Sequence, residues 1–258
     1  AAIAGRSVDD VTRHGKHLDI VLGNAVVLGD AEGAEPELHL VVHLALAGWI
    51  RWRAGAPGAP RPGSSPVAAQ LLLEPDGDGI DITEAGTRKA LAIWLVRDPA
   101  DVPGIARLGP DPLDPAFTEE AFARALAGAG RARIKGVLRD QSRIAGIGNA
   151  YSDEILHAAR MSPFAPASMP PDRVAALYAA MRSTLEEAVE RADGVAAADL
   201  KREKKASLRV HGRFGQPCPV CGDTVLQVVY SDSTFQYCPT CQTEGRPLAD
   251  RVLSRLLK

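Results

Sequence analysis

The run 218-CPVCGDTVLQVVYSDSTFQYCPTC-241 holds every cysteine of the chain, arranged as two Cys-x2-Cys knuckles, Cys218 with Cys221 and Cys238 with Cys241. Sixteen residues separate the knuckles. Four thiolates at that separation can close tetrahedrally around one zinc ion, and the intervening TVLQVVYSDSTFQY alternates and β-branches as a hairpin does. Two disulfides are the other use of four cysteines. A chain of 258 residues with no further cysteine and no export signal favours the reduced metal site. With sulfur in all four positions no coordination site is left for water or substrate, so one structural Zn2+ is expected and no metal chemistry. The functional question becomes what this ribbon holds in place.

Working outward, the length suggests more than one core. The formal net charge of -2 does not by itself point to a polyanionic partner. Its distribution is more informative: from Lys201 to Lys258 there are ten Lys and Arg against five Asp and Glu, a net of +5 on the cysteine-bearing end. That end can face phosphates. No apolar run approaches the roughly 20 residues that cross a bilayer, and AAIAGRSVDD at the start lacks the basic and apolar segments of an export signal, so a cytoplasmic protein is expected.

From Ile3 to Arg97 the signals are strands: 17-HLDIVLG, 24-NAVVLGD, 37-ELHLVVHLALAGWIRWR, 67-VAAQLLLEP, 79-GIDITEA and 91-LAIWLVRD, punctuated by Gly, Pro, Asp and Asn. Strands at this spacing predict a β-sandwich or barrel over 1–97. Residues 54–66, AGAPGAPRPGSSP, read as a surface loop. Five prolines in 98-DPADVPGIARLGPDPLDP forbid a continuous helix or central strand, giving a linker over 98–117. Helical texture follows over 118–206, opening on Thr118 as a cap with Glu119 and Glu120 in the first turn. The cysteine ribbon fills 207–258. Between two helical runs, Gly146 and Gly148 precede Asn149 and a helix start. Such a turn points backbone amides and a helix N-terminus outward, suiting a phosphate, although an ordinary glycine connector has the same spacing.

These stretches together resemble the formamidopyrimidine-DNA glycosylase and endonuclease VIII family of base-excision repair enzymes. IKGVLRDQSRIAGIGNAYSDEILHAARMSP is similar to its helix-two-turns-helix, and LRVHGRFGQPCPVCG with QYCPTCQ to its zinc finger. RHGKHLDI, VVHLALAGW and LGPDPL resemble its Arg-x-Gly-Lys hairpin, His-Leu strand and interdomain link. The resemblance implies an α+β multidomain protein with an N-terminal β-sandwich, a central helix-two-turns-helix α domain and a C-terminal zinc-finger β-hairpin. It implies that Lys135 and Asn149, with the Gly146–Gly148 turn, hold phosphates, and that His43 and Arg213 lie along the DNA. Lys16 contacts phosphate near the lesion and supports catalysis, while Leu46 fills the gap left by an extruded base. The implied partner is double-stranded DNA carrying an oxidised base or abasic site, met by a monomer in the bacterial nucleoid.

The family's chemistry uses an N-terminal proline as amine nucleophile and an adjacent glutamate. Here the chain opens Ala1-Ala2, and Lys16 comes roughly forty positions early against the family pattern; the expectation is that the nucleophile lies ahead of Ala1 and that this chain alone is inactive. A non-catalytic zinc-containing protein that binds damaged DNA is the alternative. Asp232-Ser233-Thr234 stand where the family's zinc hairpin usually carries a phosphate-gripping arginine, leaving Arg213, or Arg88 with Lys89, as replacements.

Overall fold

The computed structural model describes residues 3–25, 36–56, 58, 66–85, 87, 89–229 and 234–248, with the side chains of 24 and 25 excepted. The chain divides into two compact units, 1–107 with 196–198, and 108–195 with 199–258.

Seven strands build the first unit: β1 (Arg6–His14), β2 (His17–Ala25), β3 (Leu38–His43), β4 (Gly48–Arg53), β5 (Val67–Leu72), β6 (Gly79–Glu84) and β7 (Ala92–Val96). They form two antiparallel sheets, ordered β1-β2-β3-β7 and β4-β6-β5. Leu18, Ile20 and Leu22 of β2 point to one face, as side chains two apart must, and meet Leu38, Leu40 and Ile93 from the same sheet and Leu71 and Ile80 from the other. The mixed α+β architecture with an N-terminal pair of sheets is as the sequence implies.

The strands differ from the sequence pattern in two places. RSVDDVTRH carries no strand signal, yet it forms β1 at the edge of its sheet, where most of its side chains face solvent and no alternation is required. The single run 37–53 is two strands in different sheets. It breaks where Ala45 adopts a left-handed φ of 51° and the Gly48 amide donates to the Leu44 carbonyl at 2.8 Å. A Cβ at Gly48 would lie 2.2 Å from that carbonyl oxygen, so only glycine closes the turn. The reading of 24–30 as a strand extends past the described residues after Ala25, and most of the loop at 54–66 also lies outside them.

The second unit holds α1 (Glu119–Ala127), α2 (Ile134–Arg139), α3 (Asn149–Ala158), α4 (Pro171–Ala192), α5 (Leu200–Ser207), β8 (Leu226–Val229), β9 (Thr234–Tyr237) and α6 (Pro239–Thr243). Thr118 caps α1, its hydroxyl accepting from the Ala121 amide at 3.3 Å. Phe122, Leu126, Ile134, Leu138, Ile155, Leu156, Leu177 and Met181 bury a common helical core. The Tyr178 hydroxyl ties α4 to the Phe117 carbonyl at 2.7 Å. Helix α5 falls at the end of the span read as helical, 118–206, but no apolar period marks it as a separate helix, because KREKK carries none. Among the described residues no helix is long and apolar enough to cross a membrane.

Candidate nucleic-acid interface and metal centre

The cysteine ribbon folds as local chemistry dictates. The first knuckle turns at Gly222, φ 79°, with the Gly222 amide on the Cys218 carbonyl at 2.9 Å. Strands β8 and β9 pair from Leu226–Tyr237 to Val229–Thr234. Cys238 then caps α6, with Pro239 at the first helical position, where its missing N–H costs nothing. The four Sγ atoms lie within 4.8 Å of one another, Cys218 to Cys241 at 3.9 Å and Cys221 to Cys238 at 3.3 Å. Tetrahedral zinc with bonds of about 2.3 Å has sulfur–sulfur edges of about 3.8 Å, so the cluster fits that ion. Burial pushes the Cys238 thiol up and the Cys241 thiol up to about 11, so a bound cation would be needed to hold these sulfurs as thiolates near neutral pH.

His157 of α3 reaches the cluster, its Nε2 3.3 Å from Cys218 Sγ. Burial first, then the Arg209 and Arg160 charges, pushes its pKa down to about 4. The ring is therefore neutral, and the tautomer with hydrogen on Nε2 donates to the sulfur. No metal-ligand spacing along the chain marks this histidine.

Against this ribbon α3 presents two adjacent buried carboxylates that sequence reasoning missed. Asp153, wholly buried, accepts from Lys135 Nζ at 2.5 Å, His211 Nδ1 at 2.7 Å and the Gln236 amide at 3.2 Å. Glu154 accepts the Arg209, Val210 and His211 amides at 2.7, 3.0 and 2.8 Å. These bonds join α2, α3, the 209–211 segment and β9. The available signal was two acids placed directly before Ile155 and Leu156 in a helix too short to spare a buried face for them.

The glycine turn ahead of α3 is braced. Gly146 takes φ 85° and donates to Gln141 Oε1 at 3.0 Å, while Gln141 Nε2 donates to the Arg139 and Ile147 carbonyls, both at 2.8 Å. Gly148 is the N-cap residue of α3, in ordinary extended backbone. Asn149 opens the helix, where the first amides have no intrahelical acceptor. Its Nδ2 donates to the Thr234 carbonyl at 2.6 Å, fixing the turn to the start of β9, and its buried Oδ1 has no partner among the described residues. Lys135 stands behind the turn rather than at its surface: only 5% exposed, its Nζ also donates to Ser152 Oγ at 2.7 Å and the Asn149 carbonyl at 3.3 Å. Its hydrogens are committed internally. Arg213 donates to Gln216 Oε1 and the Leu208 carbonyl, each at 3.2 Å.

In the first unit Gly15, φ 58°, turns the β1–β2 hairpin and leaves Lys16 exposed at its tip. His17 pairs with His43 across β2 and β3, and the two rings lie 4.8 Å apart. Burial, then the charges of His17 and Lys16, pushes the His43 pKa below its ordinary value, favouring the neutral ring. One turn further, Leu46 is 100% exposed at the tip of the loop that Gly48 closes. Lys16, His43 and Leu46 thus come to one end of the sheet. Asp232, Ser233 and Arg88 lie outside the described residues; Lys89 donates to the Glu84 carbonyl.

Comparison with known proteins identifies the family of the chain. Residues 1–92 match the formamidopyrimidine-DNA glycosylase N-terminal domain and residues 108–199 the formamidopyrimidine-DNA glycosylase H2TH domain. An uncharacterized formamidopyrimidine-DNA glycosylase-like protein of Mycobacterium tuberculosis is 56% identical over 62% of this chain and 99% of its own length. The formamidopyrimidine-DNA glycosylase of Symbiobacterium thermophilum is 34% identical over 97% of this chain and 79% of its own. The crystal structure of the MutM (Fpg) protein from Thermus thermophilus superposes with a TM-score of 0.73 at 35% identity, covering 95% of this chain and 86% of that one. The fold is also shared, at 22% identity, with MutM in complex with DNA containing carbocyclic 8-oxo-G, at a TM-score of 0.73 over 94% of this chain and 84% of that one. By sequence and by fold, this chain belongs to the formamidopyrimidine-DNA glycosylase and endonuclease VIII family.

Proposed function

We propose that this protein is a base-excision DNA glycosylase acting on oxidised bases in duplex DNA, with abasic-site lyase activity by β-elimination. The observation that carries the reading is the Gly146–Asn149 turn, braced by Gln141 and fixed through Asn149 to the cysteine hairpin, at the N-terminus of α3, where the first amides have no intrahelical acceptor. Fixed amide donors at a helix N-terminus suit a phosphodiester and read no sequence. The division of labour over 1–97, 98–117, 118–206 and 207–258 is part of the same proposal.

On this reading Asn149 and the amides of the turn hold backbone phosphate, and Lys135 positions them from behind. Lys16 meets phosphate near the lesion, His43 lies on the same track, and Leu46 enters the stack as the damaged base leaves it. Extrusion costs a few kcal/mol, which an apolar side chain occupying the gap offsets in part. Four cysteine thiolates would hold one zinc, which supplies structure to the hairpin and no reactive position.

In the reaction a neutral amine attacks C1′ of the sugar and the base departs with the bonding electrons. The attacking amine loses its proton and the sugar ring opens, the C1′–O4′ bond breaking with a proton delivered to O4′, to give an imine. The imine acidifies the adjacent C2′ proton, and removal of that proton expels the 3′ phosphate. An α-amino group suits the attack because its reference pKa of about 8 leaves a useful neutral fraction near pH 7. On this reading residues 1–258 grip the DNA, and Lys16 has a supporting part in the chemistry.

Borohydride trapping on a duplex with one abasic site, beside gel-shift binding, tests this. Binding that Asn149→Ala weakens equally on damaged and undamaged duplexes is expected. Absence of DNA binding by the intact chain would refute it, and a trapped adduct mapped to Lys16 would make that lysine the nucleophile and not a supporting residue.

A further inference from the structure

Helix α5 has a charge distribution that packing does not explain. At about 100° per residue, Lys201, Arg202, Lys204 and Lys205 fall within an arc of about 160°, and its one acid, Glu203, falls outside that arc. None of its residues is buried. Lys201 with Lys204 and with Lys205 are like charges at i,i+3 and i,i+4, spacings that repel. The neighbouring α4 does the opposite, pairing Arg182 with Glu186 at 2.5 Å and Arg191 with Glu187 at 3.4 Å. On α5 only Arg202 has a carboxylate, Asp199 at 3.1 Å; among the described residues Lys201, Lys204 and Lys205 have none within ion-pair range.

The helix also has a defined place. Lys204 Nζ lies 5.1 Å from the centre of the Tyr151 ring, and Tyr151 is the third residue of α3. Two residues of helix rise separate it from Asn149, about 3 Å. Lys204 therefore lies against the first turn of α3, which the Gly146–Asn149 turn opens, and Lys201 and Lys205 share its cationic arc. A cationic face with no acidic partner, set beside an anion-binding turn, is complementary to a regularly spaced polyanion. Duplex DNA carries a charge about every 1.7 Å along its axis, so phosphates on either side of one held in the turn fall within reach of a neighbouring helix.

We propose that α5 is a second phosphate-binding element, in which Lys201, Lys204 and Lys205 contact the duplex backbone beside the Gly146–Asn149 turn. The proposal rests on the DNA-binding reading above and adds residues to it. These contacts are non-specific in sequence and lesion, and they lengthen the footprint of the helical domain along the strand.

Measuring duplex affinity of the intact chain against salt concentration tests it. The variant Lys201→Gln/Lys204→Gln/Lys205→Gln keeps helix-forming residues throughout. Three lost contacts at about 0.9 each reduce the slope of log K against log salt by about 2.7, equally for undamaged and abasic duplexes. Lys201→Gln/Lys205→Gln, which spares the Tyr151 contact, loses about 1.8. An unchanged slope in both variants, with Asn149→Ala still weakening binding, overturns the α5 proposal and leaves the functional reading standing. No DNA binding by the unaltered chain overturns both. If the variants instead lose binding to phosphatidylserine vesicles while their DNA slope is unchanged, the helix serves a membrane surface and the proposal is wrong.

Discussion

Replacing Asp153 by Asn tests the buried hub that joins the Gly146–Asn149 turn to the cysteine hairpin. The substitution keeps the shape and removes the charge that Lys135 Nζ meets at 2.5 Å in a site where the two side chains are 7% and 0% exposed. Breaking a buried pair from one side costs about 3–5 kcal/mol, because the surviving charge is left without compensation. His211 and the Gln236 amide also donate to this carboxylate, and the single acceptor oxygen of Asn cannot serve all three donors. Since these losses overlap, a total of about 4 kcal/mol is expected, lowering the melting temperature of the second unit by about 8–16 °C at 2–4 °C per kcal/mol. Calorimetry with hydrogen exchange over 134–161 and 209–237 reads the effect. Trp49, Trp52 and Trp94 all lie in the first unit, so tryptophan fluorescence provides the internal control. The deficit should depend on pH. Burial already holds the Lys135 pKa below its ordinary value, with Asp153 pulling it up, and without that carboxylate it falls further. The unfolded chain, with a lysine pKa of about 10.4, then binds a proton that the folded one does not, so stability rises with pH. The gap from the unaltered protein should narrow between pH 7 and 10, with a limiting slope of about 1.4 kcal/mol per pH unit. Adding Lys135→Met should recover about 2 kcal/mol by removing the stranded ammonium. A cost under about 1 kcal/mol, or a double variant less stable than Asp153→Asn alone, would refute this account of the hub.

Four other substitutions probe separate parts of the molecule. Cys238→Ser should abolish zinc binding and speed hydrogen exchange from 209 to 248, because ligand loss removes folding free energy; full zinc occupancy by elemental analysis would contradict the assignment. Glu154→Gln turns an amide NH2 toward one of three backbone donors and should cost the second unit about 2–4 kcal/mol by calorimetry, without changing zinc content. Gly48→Ala drives a Cβ to 2.2 Å from the Leu44 carbonyl oxygen and must reopen the turn carrying Leu46. A loss of about 2 kcal/mol or more from the first unit is expected, whereas Leu46→Ala, fully exposed, should change its stability by under about 0.5 kcal/mol.

Much of this molecule is set by interactions within a few residues, and those parts are legible in the chain. The two knuckles, the Thr118 cap, the left-handed Gly146 and the proline-rich break after Val96 each follow from backbone geometry that a short segment fixes by itself. Edge strand β1, and helix α5 as a separate helix, were not legible, because both expose most of their side chains and so carry no apolar period. Nor was the break at Leu44–Gly48 inside a continuous apolar run, since both flanking strands find cores, in different sheets. Residue order alone thus carries the class of protein and the four-cysteine ribbon that could hold a metal, and it names the candidate DNA-facing residues. It took the folded chain to show that Lys135 is turned inward to Asp153, that Glu154 holds amides 55–57 residues away, and that Asn149 is tied to a carbonyl 85 residues on. Buried charges and amides must find partners wherever folding brings one within reach, and no local pattern records which partner that is.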